Sequence, residues 1–222
     1  AHHADWMFTL VRTDPGASRK QRGLSFLLID LTLPGVTIKP IITLDGRHEV
    51  NEVFLDEVRV PVDCLVGAEN EGWTVTKSLL SSERTGIARI GMTKHLVRRI
   101  KQLAGENGGL LERLAMIEAE LQILDVTQLR ILDDQRNSTG PDPRSSILKL
   151  KGVELRQAAS ELLLEAVGEN ALEVRGDDEV ADDDGPWIGS VMPNYAILRA
   201  ASIFGGSSEV QKTVIAKSLL GL

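Results

Sequence analysis

Cysteine is nearly absent from this 222-residue chain. Cys64 stands alone, so no internal disulfide can form, and a reducing compartment, the cytoplasm, is the expected setting. Its surroundings (Val62, Asp63, Leu65, Val66) suit a small buried apolar residue. Positive charge is not in excess either: the net charge is −7, which argues against a nucleic-acid or anionic-membrane partner. No run approaches the eighteen or so apolar residues that a spanning helix requires. The start, Ala1-His2-His3-Ala4-Asp5, has neither the basic nor the apolar part of a signal peptide. The four histidines (His2, His3, His48, His95) form no HxxxH or HExxH pair, so no metal site is expected. There is no G-x-G-x-x-G after a strand, no Walker loop and no G-x-S-x-G elbow.

With 42% hydrophobic and 26% charged residues, the composition is that of a globular chain able to build one large or two modest domains. Residues 1–67 read as β: runs at 6–11, 24–30, 36–40 and 52–60 are rich in β-branched and aromatic residues. Asp14-Pro15-Gly16, Leu33-Pro34-Gly35 and Asp45-Gly46 punctuate them as turns. The last run loses its alternation and is expected to bend near Leu55 and Asp56. Arg12, Arg19, Lys20 and Arg22 cluster at the first turn, most simply a solvated hairpin tip. Four strands beginning in mid-pattern leave an open edge, as though the chain were cut from something longer.

From Gly67 onward the composition turns helical. Residues 72–104 lack proline and repeat apolar residues at three-four spacing (Leu79, Leu80, Ile87, Ile90, Val97, Ile100), which predicts one long helix with Asn70 as its cap. Glu83 lies inside that apolar stripe, with Arg84 beside it. A carboxylate aimed into a dry interior holds its proton more tightly and, in a cleft, becomes a candidate general base. The alternative is a surface glutamate that only grazes the core. A second helix is expected over 110–134, with Leu111, Leu114, Ile117, Leu121, Leu124 and Leu129 on one face. A third is expected over 143–168, and two helical pieces over 195–222, broken at Gly205 and Gly206. Helices of this kind joined by short loops make an antiparallel four-helix bundle.

Two further stretches carry possible chemistry. The acidic insert at 175–185 fails the EF-hand pattern, with Val180 and Val191 where its first and last ligands belong, and reads as a solvated loop. Gly205-Gly206-Ser207-Ser208-Glu209 places two glycines and two hydroxyls at a helix start, which suits a phosphate or other anion. It equally suits a plain helix boundary with Ser207 or Ser208 as N-cap.

Taken together, the motifs resemble the C-terminal part of an acyl-CoA dehydrogenase. The resemblance is carried by Ala4-Asp5-Trp6, Gly23-Leu24-Ser25-Phe26, Pro34-Gly35-Val36-Thr37 and Asn51-Glu52-Val53-Phe54-Leu55-Asp56-Glu57-Val58. It continues through Leu65-Val66-Gly67, Gly72-Trp73, Glu83-Arg84 and Ile203-Phe204-Gly205-Gly206-Ser207-Ser208-Glu209. Within the family the likeness is to large subunits of two-subunit bacterial enzymes of the pimeloyl-CoA dehydrogenase type. It implies an α+β fold: part of a middle β-domain (1–67), then a C-terminal antiparallel four-helix bundle (68–222) that builds the oligomer. The family's N-terminal helical domain is absent from the stretch.

The chemistry so implied is FAD-dependent α,β-dehydrogenation of an acyl-CoA thioester, in which a carboxylate removes the α-proton while hydride passes to the flavin. An electron-transferring flavoprotein is the implied acceptor. Many members place the base where this chain has Gly205, whereas others place it just before the helix arginine, which is Glu83 here. Arg84 and Gly206 then match substrate-side contacts, with Ser81 where an aspartate often stands. Ser207 and Glu209 match a Thr-x-Gln that touches FAD, with a charge replacing the amide. Two flavin segments are lost: Gly105-Glu106-Asn107-Gly108-Gly109 and Glu165-Ala166-Val167-Gly168-Glu169 stand in their places. A homo-oligomer or a heteromer with a related subunit is expected. The losses favour a mixed complex, in which this chain is the catalytic subunit or a non-catalytic structural partner; an acyl-CoA oxidase is the alternative within enzymes.

Overall fold

The structure is a computed structural model. It describes residues 1–136, 142–172 and 187–222, and for residues 78, 80–85 and 87 the backbone alone. The chain divides into two compact units, residues 1–81 and 82–222. The acidic insert and the turn expected at Asn137-Ser138-Thr139-Gly140-Pro141 lie outside the described residues.

In the first unit, β1 (Trp6–Arg12) and β2 (Leu24–Asp30) pair antiparallel with Phe8 opposite Leu28, and the short β5 (Leu65–Val66) takes the other edge of β2. β3 (Val36–Ile42) and β4 (His48–Leu55) form a separate antiparallel pair. The strand expected to reach residue 60 ends at Leu55. Beyond it the chain is pinned by Asp56 N–H donating to the Gly35 carbonyl (3.0 Å), and Glu57 adopts a positive φ of 50°. Gly35 itself has φ +91°, and a Cβ there would come within 2.1 Å of the Asp56 carbonyl oxygen, so only glycine closes this turn.

Helix α1 (Gly72–Ile87) begins where β2 is closest: a Cβ on Gly72 would lie 2.5 Å from the Ser25 backbone. Asn70 does not cap this helix. Its backbone is left-handed (φ 67°) and its side-chain oxygen accepts from the Thr13 hydroxyl at 2.7 Å. Its N–H donates to Ser25 Oγ at 2.9 Å, and Ser25 and Thr13 hydroxyls share a 2.7 Å bond. Since the carboxamide oxygen can only accept, Thr13 donates to Asn70 and Ser25 donates to Thr13. The residue expected as a cap is thus a clasp between a hairpin and the helix approach.

The single helix expected over 72–104 is broken. α1 stops at Ile87 and α2 (Ile90–Ala104) starts after Arg89, whose φ and ψ of 48° and 40° are left-handed. Such a conformation costs an ordinary residue on the order of 1 kcal/mol, so packing must hold it. Within the second unit Ala88 is buried and Gly152 sits against it, so close that a Cβ on Gly152 would come within 2.6 Å of the Ala88 Cα. Apolar periodicity carries no trace of this contact.

α3 (Gly108–Gln135), α4 (Ser145–Val167), α5 (Val191–Leu198) and α6 (Ser208–Leu219) complete the helical unit. α2, α3 and α4 pack pairwise, and α5 and α6 both lean on α4. The core joins Val97 and Ile100 of α2, Leu114, Ile117, Leu121 and Leu124 of α3, and Leu148, Leu155 and Leu162 of α4. Two expected core positions, Leu111 and Leu129, are exposed instead: they sit beyond the edge of the stripe that α2 and α4 cover. The expected α+β class holds, with the strands in the first unit and the bundle in the second.

Candidate functional site

The turn before α6 is built by two glycines that no other residue could replace cheaply. Gly205 (φ 67°) and Gly206 (φ 92°) both lie in the left-handed region. A Cβ on Gly206 would come within 2.3 Å of Gln211 Nε2. Gln211 is 1% exposed, and its amide donates to the Gly205 carbonyl at 3.2 Å, while its Oε1 is buried with no partner. Ser207 is the N-cap: its hydroxyl oxygen accepts from Val210 N–H at 3.4 Å. Glu209 follows in the first turn. The pKa of its carboxyl lies below the usual carboxylate value, first through its own backbone N–H and then through the Ser207 hydroxyl. A negative charge at a helix start is favourable, and here the helix supplies its own.

Behind this turn stands Lys149 of α4, completely buried. Its ammonium donates to the Ser202 carbonyl at 3.3 Å, and the same carbonyl accepts from the Ser208 hydroxyl at 3.3 Å. Burial pushes the Lys149 pKa down, with nearby Glu209 opposing the shift. One helical turn earlier along the chain, Arg199 donates to Ser160 Oγ at 3.0 Å, and Gln157 donates to the Leu198 carbonyl at 2.8 Å. These polar groups fasten the segment 198–211 to α4. Sequence reasoning missed Lys149 and Gln211 as members of the site. The available signal was a lysine flanked by Leu148 and Leu150 in an apolar helix.

Of the residues singled out from sequence, Gly206, Ser207 and Glu209 come together in this one turn. Glu83 and Arg84 lie on the C-terminal half of α1, and their side chains lie outside the described residues. Among the described residues no group of three or more His, Cys, Asp or Glu could hold a metal ion, and no helix is long and apolar enough to cross a membrane.

The first unit carries a cleft of about 880 Å³ between the 14–23 loop and the start of α1. Arg19, Arg22 and Lys77 line it together with Asp14, Glu71 and Trp73. Arg12, grouped with these cations in the sequence, spends its guanidinium on the loop backbone, donating to the Lys20 carbonyl at 2.7 Å and the Arg22 carbonyl at 3.2 Å.

Residues 70–220 match the family description for the acyl-CoA dehydrogenase C-terminal domain. The chain belongs to the acyl-CoA dehydrogenase family. Over its whole length it is 32% identical to the acyl-CoA dehydrogenases FadE34 and IpdE1 of Mycobacterium tuberculosis, of which it spans 30% and 56%. Among solved structures, all of the chain superposes on the Tcur3481-Tcur3483 steroid acyl-CoA dehydrogenase, with a TM-score of 0.84 and 26% identity over 57% of that chain. It also superposes on the ChsE4-ChsE5 complex from Mycobacterium tuberculosis, with a TM-score of 0.81 and 27% identity over 58% of that chain. It therefore covers little more than half of these relatives, or less.

Members of this family are FAD-dependent oxidoreductases. The turn at α6 fits that group only in part. Gln211 fills the space beside Gly206 and donates to its carbonyl at 3.5 Å. The first turn of α6 already carries the Glu209 carboxylate, and a pyrophosphate there would meet a like charge. Each of the two segments expected to stand in place of family flavin contacts makes a local interaction. Asn107 caps α3 by accepting from Leu110 N–H at 3.2 Å, and Glu165 pairs with Arg113 at 2.5 Å.

Proposed function

We propose that this chain is the base-bearing part of an acyl-CoA dehydrogenase subunit, and that Glu83 removes the α-proton of an acyl-CoA thioester. The observation that carries the reading is the Gly205-Gly206 turn: at the position where many family members place the base stands a left-handed glycine without a side chain, which leaves the Glu83-Arg84 pair. Arg84 would orient the base or the thioester through charged hydrogen bonds, and the Gly206 backbone would contact the thioester. Ser207 and Glu209 would lie on the flavin side of this turn, where Glu209 weakens the hold on phosphate. In this family FAD supplies the hydride acceptor, and an electron-transferring flavoprotein would reoxidise it. Arg19, Arg22 and Lys77 around the cleft of the first unit offer cations to the phosphates of coenzyme A. The setting would be cytoplasmic, with the boundary between β-domain and bundle near residue 67.

The decisive substitution is Glu83→Gln in the complete protein with its natural partner. Loss of a general base costs about 10²–10⁴-fold in rate, and exchange of α-deuterium from a bound thioester should stop as well. Retained turnover at unchanged flavin content rules the assignment out.

A second reading has its own support. Because Asn107 is engaged in a helix cap and Glu165 in an ion pair, and Glu209 sets a carboxylate at the start of α6, this chain would offer little to a flavin and could instead be a structural partner of a flavin-bearing homologue. Flavin counted per chain in the assembled complex separates the two: full occupancy of a site involving this chain favours the catalytic subunit, and none favours the partner.

A further inference from the structure

α4 carries two buried cations on one side, and their circumstances differ. Lys149 donates to the Ser202 carbonyl at 3.3 Å and has Glu209 near enough to act on its charge. Arg156 follows two helical turns later, on the same side, and is 6% exposed. Its guanidinium takes part in no hydrogen bond or ion pair of the described residues, and its Nε is wholly enclosed without a partner. Among the described residues the charge that bears on it is another cation, Arg89. Arginine does not shed its proton, so the fold carries this positive charge unbalanced, which is among the costliest arrangements an interior can hold. Arg199 shows the ordinary alternative: packed on the same helix, it donates to Ser160 Oγ at 3.0 Å and to the Tyr195 carbonyl at 3.2 Å.

The place where Arg156 sits adds to the imbalance. Gly152, one turn earlier on α4, meets Ala88 so closely that a Cβ would come within 2.6 Å of the Ala88 Cα. That contact sets Arg156 beside the break between α1 and α2. There Arg89 stands exposed, with the left-handed φ of 48° already described, directly before the first residue of α2. No side chain caps α2, and its first turn holds no acidic residue. The positive end of a helix is thus left without a counter-charge of its own, whereas α6 has Glu209 in that position. An enclosed guanidinium, a second arginine and an uncapped helix start meet at one break, and stability alone does not gather them.

We infer that the break between α1 and α2 is a carboxylate-binding site, in which Arg156 takes both oxygens of one carboxylate and Arg89 stands at the mouth. The Nε–Nη edge of a guanidinium matches a planar carboxylate through two bonds at once, and in Arg156 the enclosed Nε of that edge is unused. So enclosed a group suits the slender, singly charged end of a small molecule better than a tetrahedral phosphate dianion, whose dehydration costs more. The carboxylate belongs to a free organic acid or to the far end of an acyl group, and both present the same two oxygens. The site lies within the helical unit and does not depend on the Glu83 assignment.

The test is thermal unfolding of the complete protein in its native assembly, at constant ionic strength. Replacing chloride by tens of millimolar acetate or adipate should raise the melting temperature by about 2–4 °C. Protection by either acid assigns the site to a free carboxylate. Protection by adipoyl-CoA that exceeds that by hexanoyl-CoA, with the free acids inert, assigns it to the acyl group. Arg156→Met should melt no lower than the parent, because a packed apolar chain replaces an unpaired ion, and should gain nothing from any carboxylate. Arg156→Lys keeps the charge but loses the fork, and should bind at least about tenfold more weakly. The surface variant Arg89→Gln should fold like the parent and lose part of the protection. The inference is overturned if none of the carboxylates protects, if phosphate protects in their place, or if protection survives Arg156→Met. It is overturned equally if Arg156→Met melts below the parent, since the charge would then be balanced within the fold. None of these readings involves turnover, so their failure leaves Glu83 untouched, and the loss of Glu83 as base would leave them unchanged.

Discussion

Residues 82–222 close a core of their own, with α2, α3 and α4 burying leucine and isoleucine at every turn of their shared faces. Residues 1–81 bury little beyond Phe26 and Ile29 and leave Trp6, Phe8, Ile42, Leu44 and Phe54 in the open. That unit keeps its form through ladders, tight glycines and the closed ring of Thr13, Ser25 and Asn70. Two different currencies of order thus lie side by side in one chain: volume filling in the helices, and backbone geometry with hydrogen bonding in the strands. The first buries polar groups among its leucines, some bonded, as Lys149 is to the Ser202 carbonyl, and some not, as Ser146 Oγ and Arg156 Nε are not. The second tolerates exposed apolar side chains but not a misplaced Cβ.

The contrast can be broken experimentally. Leu148→Ala, at a fully buried position of α4, should cost the helical unit about 2–5 kcal/mol, read from urea unfolding followed by the helical circular-dichroism signal. A cost below about 1 kcal/mol would mean that α4 is not the centre of that core. Gly35→Ala should cost the β-unit about 1–3 kcal/mol through its left-handed φ and the Asp56 carbonyl, read as faster hydrogen exchange in β3 and β4 with the helices unaffected. If exchange is unchanged, the turn is not the constraint described above.

A smaller effect concerns the entry to α4. There Asp142 accepts from the Arg144 backbone at 2.8 Å and from its guanidinium, which holds the Asp142 pKa below its ordinary 3.8. A lowered carboxylate stabilises the fold above its unfolded pKa, and the gain disappears as pH falls through the folded value. Asp142→Asn should therefore cost about 1 kcal/mol at neutral pH and little near pH 2, visible as melting curves that converge in acid. The smallest effect should come from Leu44→Ser in the β-unit. At 82% exposure it should shift stability by less than about 0.5 kcal/mol, and a larger loss would show that the open apolar face of this unit is covered in solution.

How far the fold was legible differs between the units for the same reason. β2 was expected at residues 24–30 and is found there, because glycine and proline turns bracket a strongly β-prone run. The inner face of α3 was legible from its leucines, since one covered side leaves a clear three-four pattern. Leu111 and Leu129 were not separable from it, because apolarity alone does not say which side a neighbour covers. The span of α4 was legible, expected over 143–168 and found at Ser145–Val167, but its faces were not. With neighbours in α2, α3, α5 and α6, it buries Lys149, Arg156 and Ser160 beside its leucines, so no single stripe exists to be read.

At the candidate site, the glycine pair and the N-cap could be anticipated, and Ser207 rather than Ser208 proves to be the cap. Gln211 could not, because its role is to fill the space a Gly206 side chain would need. Local chemistry in the sequence was enough to determine the runs of β1 and β2, the turn glycines, the helix faces with one covered side and the helix start at α6. Each of these depends on interactions within a few residues. Only the tertiary structure decided that the helix breaks at Arg89, that Asn70 clasps a hairpin instead of capping, and that Lys149 lies in the dry interior. Each of those follows from a contact with a residue distant in the chain, with Gly152, with Thr13 and with Ser202, and periodicity along the chain carries no record of such partners.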